Sequence, residues 1–342
     1  MQKKLMVAAI AGSALVAGQL AIASNDSLRE RANTVLGTVS ATPGDEVENP
    51  ISKLGQALFW DTRLSSNGEV ACASCHFREN WGSDSRPRSI NARGSETLQS
   101  QTVFHSQDTP GLRWLADRES GAAQAMGSIT GSMGFGERED ILPVLEEHGY
   151  ADLFEAAFPN DPDPISVTNY GEALEFYQRT LRTPAPYDAW MEGDDDALDE
   201  LQVRGLERFL NTGCAGCHSG ELVGGTMLQR FGVMENYWEH TGSPQIMSGL
   251  MDATGEEGDR FFFRVPLLRN IAQTGPYFHD GSVDDLRRAT EIMARIQLGQ
   301  ELDDEALDEL VAFQEALTGD IPVNFEPPEG IPFELPEGVK AD

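Results

Sequence analysis

The four cysteines of this chain fall into two pairs, and each pair is followed at once by a histidine. The two motifs are Cys72-Ala-Ser-Cys75-His76 and Cys214-Ala-Gly-Cys217-His218. A C-x-x-C-H spacing is typical of c-type haem attachment, in which the two thiols bind the vinyl groups of one haem. The adjacent histidine is then held beneath the iron as an axial ligand. The sequence therefore predicts two covalent haem c groups, with His76 and His218 bound to their irons.

Paired cysteines have other uses, which the motifs make less favourable. An exported protein with four cysteines would by default form two disulfides. A zinc site with four cysteine ligands or a thioredoxin-like dithiol would also use such pairs. None of these needs a histidine after both pairs, and the haem motifs leave no cysteine over.

The group on the other face of each iron decides what a haem does. A methionine sulfur raises the reduction potential and favours electron transfer, whereas an open face admits peroxide or oxygen. Composition alone makes each of the ten methionines more typical of core packing than of ligation. His148 lies in an acidic helical segment and is predicted to be a surface residue. The histidines outside the two motifs are His105, His148, His240 and His279.

Helical segments are predicted to position both motifs. The motifs lie 142 residues apart, about one domain, and each follows a segment with apolar residues at helical spacing. Strand signals are sparse. We expect a mainly α fold in which two cytochrome c-like haem domains pack against each other, with few short strands. The predicted helices cover 51–60, 166–181, 198–211, a segment opened by a capping box of Ser282 and Asp285, and 303–317.

The chain is predicted to have four parts. Residues 1–23 have a positive start, an apolar stretch interrupted by glycine and the pattern Ala21-Ile22-Ala23, which together indicate a cleaved signal peptide rather than an uncleaved anchor. The N-terminal haem domain covers 24–190, the C-terminal haem domain 191–320, and a Pro/Glu-rich tail 321–342. No later stretch has the roughly 18 continuous apolar residues of a membrane span. We therefore expect a periplasmic protein without a membrane span.

The charge of the chain excludes some partners. Its 342 residues include 25 Lys and Arg against 56 Asp and Glu, a net charge of −31 at pH 7. Such a surface repels phosphate backbones and anionic lipids, which argues against nucleic acid as a partner. It would attract cationic proteins, although solubility alone also explains it.

Two further segments resemble the bacterial dihaem cytochrome c peroxidases. They are LGQALFWDTRLSS at 54–66, and RVPLLRNIA at 264–272 with TGPYFHDG at 274–281. The resemblance extends over about 50–319. The family includes MauG, which oxidises tryptophans of a partner protein.

The resemblance implies a role for each haem. The N-terminal haem, held by His76, would be peroxidatic, and the C-terminal haem, held by His218, would transfer electrons. Met293 matches the methionine that completes the electron-transfer haem. MauG has tyrosine there, so Met293 favours the peroxidase branch. Trp114 matches the tryptophan between the haems and would relay electrons.

The chain also departs from the family pattern. Asn91 stands where typical members have a displaceable histidine over the peroxidatic iron, and residues 77–104 contain no histidine. The first haem is therefore expected to be permanently open. His105 occupies a usual asparagine position and is a weak candidate for a ligand.

The peroxide-binding side departs as well. Peroxide cleavage needs a group that moves a proton between the two oxygens. Gln124 matches the family's distal glutamine, but Gly134 stands where the catalytic glutamate belongs. Glu137 or Glu139 could substitute, or they could simply be first-turn acids of the following helix.

The resemblance further implies a calcium ion between the domains. The carbonyls of Thr274 and Pro276 match its ligands, whereas the asparagine ligand is replaced by Gln99. Oxygen ligands of this kind suit a hard cation. The resemblance also implies a homodimer.

Three functions follow from these expectations. The first is a periplasmic peroxidase that reduces hydrogen peroxide to water with electrons from a small cytochrome c or a cupredoxin. The second is a MauG-like oxidase of a partner protein or a small organic molecule. The third is a dihaem electron carrier without catalysis, which would require a second ligand on both irons.

Overall fold

The computed structural model describes residues 25–336. The predicted signal peptide, residues 1–23, lies outside the described residues. The predicted mainly α fold is confirmed, because the one sheet in the described part is a single antiparallel pair. Strand β1 (Leu228–Arg230) pairs with β2 (Phe262–Arg264). Between residues 25 and 336, no helix is both long and apolar enough to cross a membrane.

The helices account for most of the regular structure. Short 3₁₀ turns carry the two haem motifs, at Cys72–Ser74 and Cys214–Gly216. In chain order the α-helices are α1 (25–35), α2 (Gly44–Val47), α3 (Pro50–Trp60), α4 (Gly121–Thr130), α5 (Ile141–Glu147), α6 (Ala151–Ala157), α7 (Val167–Arg179), α8 (Pro186–Met191), α9 (Glu200–Thr212), α10 (Trp238–Thr241), α11 (Met251–Thr254), α12 (Leu286–Leu298) and α13 (Asp304–Glu315).

Helix starts follow the capping chemistry of the sequence, with one correction. Ser166 and Asp303 cap α7 and α13 as their side chains accept hydrogen bonds from the third helical residue. The predicted capping box of Ser282 with Asp285 is wrong. Asp285 is itself the N-cap of α12, since its carboxylate accepts the backbone N–H of Arg288 at 2.7 Å. Ser282 still belongs to the preceding turn, where its N–H donates to Asp280.

A close helix crossing builds the first hydrophobic core. Helices α3, α4 and α7 pack together around Leu54, Leu58 and Leu174, which are fully buried. At the crossing of α3 and α7, a Cβ on Gly55 would lie 2.0 Å from the carbonyl oxygen of Ala173. Glycine is therefore required for α3 to approach α7 this closely, and the first haem motif follows α3 after a 3₁₀ turn at Thr62–Leu64.

The second core repeats this arrangement. Helices α9 and α13 cross where a Cβ on Gly205 would lie 2.0 Å from the carbonyl oxygen of Glu309. Leu206, Phe209 and Phe313 are buried beside the crossing. Gly213 is the C-cap of α9 and takes a left-handed φ of +106°, and the second haem motif follows at once. Each motif is thus held by a helix that a glycine brings against its neighbour.

The two cores do not follow the order of the chain. Leu28, Ala32 and Leu36, in and just after α1, pack in the second core together with Tyr187 and Trp190. Helix α1 therefore packs against residues that are far from it in the sequence. The predicted boundaries at 190 and 320 stay predictions.

The tail returns to the first core. Phe325 is fully buried there, and Phe333 packs its ring edge-on against Trp60. The side-chain amide of Gln56 donates to the carbonyl oxygens of Asn324 and Glu326 at 3.0 and 2.9 Å. The segment 321–336 has no helix or strand and crosses the first core as an extended strap.

Candidate haem sites

The first motif presents a histidine that is prepared to bind a metal. Nδ1 of His76 lies 2.9 Å from the carbonyl oxygen of Gly82. Since a carbonyl can only accept, this contact places the proton on Nδ1 and leaves Nε2 free as a ligand. Burial lowers the pKa of His76, so the ring is held in the neutral form that ligation requires.

The thiols of the first motif belong to half-buried residues in the same short turn as His76. Burial raises the pKa of Cys72 to about 12 and that of Cys75 to about 11. No disulfide joins any two of the four cysteines. Within residues 25–336, no group of three or more His, Cys, Asp or Glu side chains could hold a metal ion. The geometry therefore fits covalent haem attachment better than a cysteine-rich zinc cluster.

The second motif places His218 at a closely packed loop. Burial lowers the pKa of His218 to about 4, which again keeps the ring neutral. Gly224 has a φ of +126°, and a Cβ there would lie 2.4 Å from the carbonyl oxygen of Pro266 and 3.1 Å from Nδ1 of His218. A residue with a side chain could not take this position, so glycine allows the loop to close against the histidine.

A largely apolar cavity opens beside His218. The thiols of Cys214 and Cys217 face the same space, and Met293 of α12 contributes to its wall. The structure thus brings the expected histidine and methionine ligands of the second haem to one cavity. Their ligation of iron stays a prediction. Aromatic and aliphatic walls complete the cavity, among them Phe209, Phe231, Phe263, Leu267 and Leu310.

Trp114 lies on the wall of this cavity that faces the N-terminal half of the chain. Its indole Nε1–H donates to the carbonyl oxygen of Gln99 at 2.8 Å, and its own carbonyl accepts the N–H of Arg264 at 2.7 Å. The ring of His279 approaches the indole with a centroid distance of 6.4 Å and stacks on Phe263 at 4.6 Å. The predicted relay tryptophan is therefore held at both its ring and its backbone.

The candidates for proton transfer at the first haem are spread over one helix and one turn. Gln124 is half-buried on α4, whose first turn is capped by Ser120. Glu137 and Glu139 are exposed. Glu137 precedes a 3₁₀ turn, and its backbone N–H donates to the carboxylate of Asp140 at 2.8 Å. Whether either acid serves the first haem stays a prediction.

Both departures from the family pattern meet in one pair of loops. Asn91 uses its side-chain oxygen within its own turn, where it accepts the backbone N–H groups of Arg93 and Ser95 at 3.0 Å each. The guanidinium of Arg93 then donates to the carbonyls of Gly134 and Phe135. The loop with Asn91 is therefore tied to the loop with Gly134.

Gly134 itself takes a conformation that disfavours any side chain. Its φ is +81°, and a Cβ there would lie 2.5 Å from Oγ of Ser66 and 3.1 Å from Cβ of Ala92. A glutamate at this position would need both a strained backbone and a displaced neighbour. With this backbone, the proton-transferring acid has to come from elsewhere.

His105 is occupied by a structural contact. Its Nε2 accepts the backbone N–H of Thr183 at 3.1 Å and lies 2.9 Å from Oγ1 of the same residue. Burial, together with the positive charges of Arg269 and Arg182, lowers the pKa of His105 to about 3. The ring is therefore neutral, and it joins the segment around residue 105 to the segment around residue 183.

The residues of the expected calcium site are close to a buried turn. The side-chain amide of Gln99 donates to Oγ of Ser83 at 3.0 Å and to the carbonyl of Asp84 at 3.3 Å. Thr274 is buried, and Pro276 follows a cis peptide bond. Calcium binding by the Thr274 and Pro276 carbonyls stays a prediction.

Sequence reasoning assigned no role to two buried residues of the cavity wall. Arg264 and His279 both belong to the segments that carry the family resemblance, and both line the cavity beside His218. Each has a buried nitrogen without a hydrogen-bond partner among the described residues, Nη1 of Arg264 and Nε2 of His279. Unpaired buried polar groups in the residues of a cavity wall call for an explanation, and a prosthetic group that carries polar substituents would supply one.

Comparisons with known proteins agree with this geometry. A family model described as di-haem cytochrome c peroxidase matches residues 50–196. The cytochrome c551 peroxidase of Nitrosomonas europaea is 36% identical over 276 residues, which cover 80% of this chain and 81% of that protein. The cytochrome c551 peroxidase of Pseudomonas aeruginosa is 33% identical over 321 residues, 91% of this chain and 92% of that protein. The crystal structure of a MauG-like protein associated with microbial copper homeostasis superposes with a TM-score of 0.71 at 26% identity, covering 84% of this chain and 96% of that chain.

Replacing Gly134 with alanine tests the strain at the missing acid. We expect Gly134→Ala to lower the free energy of unfolding by about 1–3 kcal/mol, because a side chain disfavours a positive φ and meets Ser66. Gly136→Ala is the matched control, since its Cβ would meet only a flexible carboxylate oxygen of Asp140, at 3.2 Å. Urea unfolding of both variants, followed by far-ultraviolet circular dichroism, measures the difference. Equal stabilities of the two variants would contradict this description of the loop.

Proposed function

Because the chain belongs to the dihaem cytochrome c peroxidase family, we propose that it reduces hydrogen peroxide to water in the periplasm, with electrons from a small cytochrome c or a cupredoxin. The observation that carries this proposal is the pairing of two unlike sites. One has a histidine and a methionine on the walls of a single cavity. The other has a histidine oriented by the Gly82 carbonyl, and Asn91, which stands where the family has a displaceable histidine, hydrogen-bonds within its own turn.

The second haem is the electron-entry site in this proposal. Met293 and His218 would hold its iron, and a thioether ligand raises the reduction potential. The apolar walls favour the same outcome, since they keep water from the haem. With both ligand positions filled by His218 and Met293, this site would accept and pass on single electrons rather than bind peroxide.

Electrons would then travel past Trp114. The indole borders the cavity of the second haem, and its ring is fixed by the hydrogen bond to the Gln99 carbonyl. Gln99 also donates its backbone N–H to the carbonyl of His279 at 3.1 Å. A rigid aromatic ring at this place would divide the path of an electron between the two haem domains into shorter steps.

The first haem is the site of peroxide reduction in this proposal. His76 would hold its iron with Nε2, while the loop around Asn91 supplies no histidine for the opposite face. Gln124 would orient the bound peroxide. An acid from the exposed turn, Glu137 or Glu139, would move the proton between the oxygens after a shift of that loop. The haem itself would supply the electron chemistry.

An acidic protein with a local apolar surface suits a basic electron donor. Several large apolar side chains of segment 227–246 are exposed, including Met227, Val233, Met234 and Ile246. This segment contains β1 and follows the second haem motif. The net charge of −31 would steer a donor with a basic docking face, and the apolar residues would make the close contact.

The proposal also includes a calcium ion, which the carbonyl oxygens of Thr274 and Pro276 would bind. It includes a homodimer as the oligomeric state.

A MauG-like oxidase is the second candidate. Gly134 favours it, because the chain has no acid at the matched position and its conformation disfavours one. An open first haem suits both functions. Met293 favours the peroxidase, since the resemblance associates the MauG branch with tyrosine at this position.

Removing the Met293 sulfur tests the assignment of the second haem. We expect Met293→Ala to abolish the low-spin methionine-ligated spectrum of one haem and to slow cytochrome-dependent turnover at least tenfold, because the iron loses the ligand that raises its potential. Met251→Ala is the control, since Met251 lies on α11, outside both the cavity wall and segment 227–246. Optical and magnetic circular dichroism spectra report the ligand directly. An unchanged spectrum in Met293→Ala would exclude Met293 as the ligand.

The function itself is tested by stopped-flow mixing of the oxidised protein with hydrogen peroxide, followed by a reduced small cytochrome c. We expect a rapid Soret change without prior reduction, and then oxidation of two cytochromes for each peroxide. A Soret change that the cytochrome does not reverse would favour the MauG-like candidate. No reaction in either redox state would contradict both enzymatic candidates and leave an electron carrier.

A further inference from the structure

Arg264 is a buried cation without a counter-charge. The side chain lies at the end of β2, and the residue is only 4% exposed. Its Nε–H donates to the carbonyl of Arg113 at 3.0 Å, and Nη2 donates to Oε1 of Gln101 at 2.7 Å. Both partners are neutral. Between residues 25 and 336, Arg264 makes no ion pair, and Nη1 has no hydrogen-bond partner.

Burying a lone guanidinium is costly. Burial alone lowers the pKa of Arg264 to about 10, with no carboxylate near enough to oppose the shift. The chain carries more than twice as many acidic as basic residues, and the other fully buried arginine, Arg269, does pair with a carboxylate. An arginine in this setting indicates that an anion from outside the polypeptide completes its surroundings.

Arg264 belongs to the wall of the cavity beside the second haem motif, and its unbonded Nη1 is covered by neighbouring protein atoms. Arg264 lines the cavity together with His218 and Met293. A Cβ on Gly225 would lie 3.6 Å from Nη1, so the unbonded nitrogen borders the loop whose preceding residue, Gly224, packs on His218. The anion that Arg264 meets must therefore fit beside the second haem.

We propose that Arg264 binds a propionate carboxylate of the second haem. A haem c carries two propionates, and arginine is the side chain best suited to hydrogen-bond a carboxylate with more than one N–H. The inference rests on the proposed haem placement and goes beyond it, because it assigns the residue that neutralises and orients the haem edge. The thioether bonds fix one edge of the haem, and Arg264 fixes the polar edge.

The same residue connects the haem edge to the relay tryptophan. The backbone N–H of Arg264 donates to the carbonyl of Trp114, and its Nε–H donates to the carbonyl of Arg113. A propionate held by this guanidinium is therefore two short hydrogen-bonded steps from the tryptophan segment. Arg264 is a positioning residue for electron transfer as well as a haem-binding residue.

The test compares Arg264→Gln, Arg264→Lys and the control Arg230→Gln in the holoprotein. Arg230 lies on the neighbouring strand β1 but is exposed. Spectroelectrochemistry measures the midpoint potential of the second haem, and resonance Raman spectroscopy measures the bending vibration of its propionates. Neither readout needs peroxide or an electron donor, so a failure of peroxidase turnover leaves this test intact.

We expect Arg264→Gln to shift the midpoint potential to lower values, because a positive charge beside the haem is lost. Arg264→Lys keeps the charge and should leave the potential near that of the wild type. The propionate vibration should shift in both variants, since neither reproduces the arginine contact, and Arg230→Gln should change nothing. If Arg264→Gln fails to retain the second haem, the vibration in Arg264→Lys decides. An unchanged propionate vibration in Arg264→Lys would overturn the proposal.

Discussion

A buried ion pair between Arg269 and Asp188 holds together segments of the chain that pack around the second haem motif. The two terminal nitrogens of Arg269 donate to the two oxygens of Asp188 at 2.7 and 2.8 Å, and both side chains are buried. Asp188 also accepts the N–H groups of Val39 and Ala185, while Nε of Arg269 donates to the carbonyl of Glu221. Removing one partner of such a pair typically costs about 3–5 kcal/mol, because the other charge stays buried.

The neighbouring residue extends this contact to the first half of the chain. Asn270 donates to Oγ1 of Thr183 at 2.8 Å and accepts the N–H of Gly319 at 3.0 Å. Thr183 in turn binds His105, which follows the buried segment of the first core. This polar contact between two apolar cores fixes how the halves of the chain sit against each other. Electron transfer between two haems depends on a fixed separation. The hydrogen bonds from Asn270 through Thr183 to His105 also explain why a neutral, buried histidine suits position 105.

Local signals were enough to predict the haem motifs and most helices, whereas the crossings between distant segments were not predictable. The C-x-x-C-H spacing and caps such as Ser166 depend on a few adjacent residues, and the structure has helices where they indicate them. The capping box at Ser282 was wrong because a turn held by Asp280 delays the helix. The cost of a side chain at Gly134 and the missing counter-charge of Arg264 depend on neighbours far along the chain, so no pattern in the sequence reveals them.

The proposed function requires that one iron has two protein ligands and that the other has one ligand and an open face. Electron paramagnetic resonance of the fully oxidised protein tests this difference most directly. The geometry of the two sites predicts equal amounts of two signals, one low-spin with histidine and methionine ligands and one high-spin. The high-spin signal should be present without any prior reduction, because the loop at Asn91 supplies no ligand. Two low-spin signals of equal intensity would contradict an open first haem and favour an electron carrier.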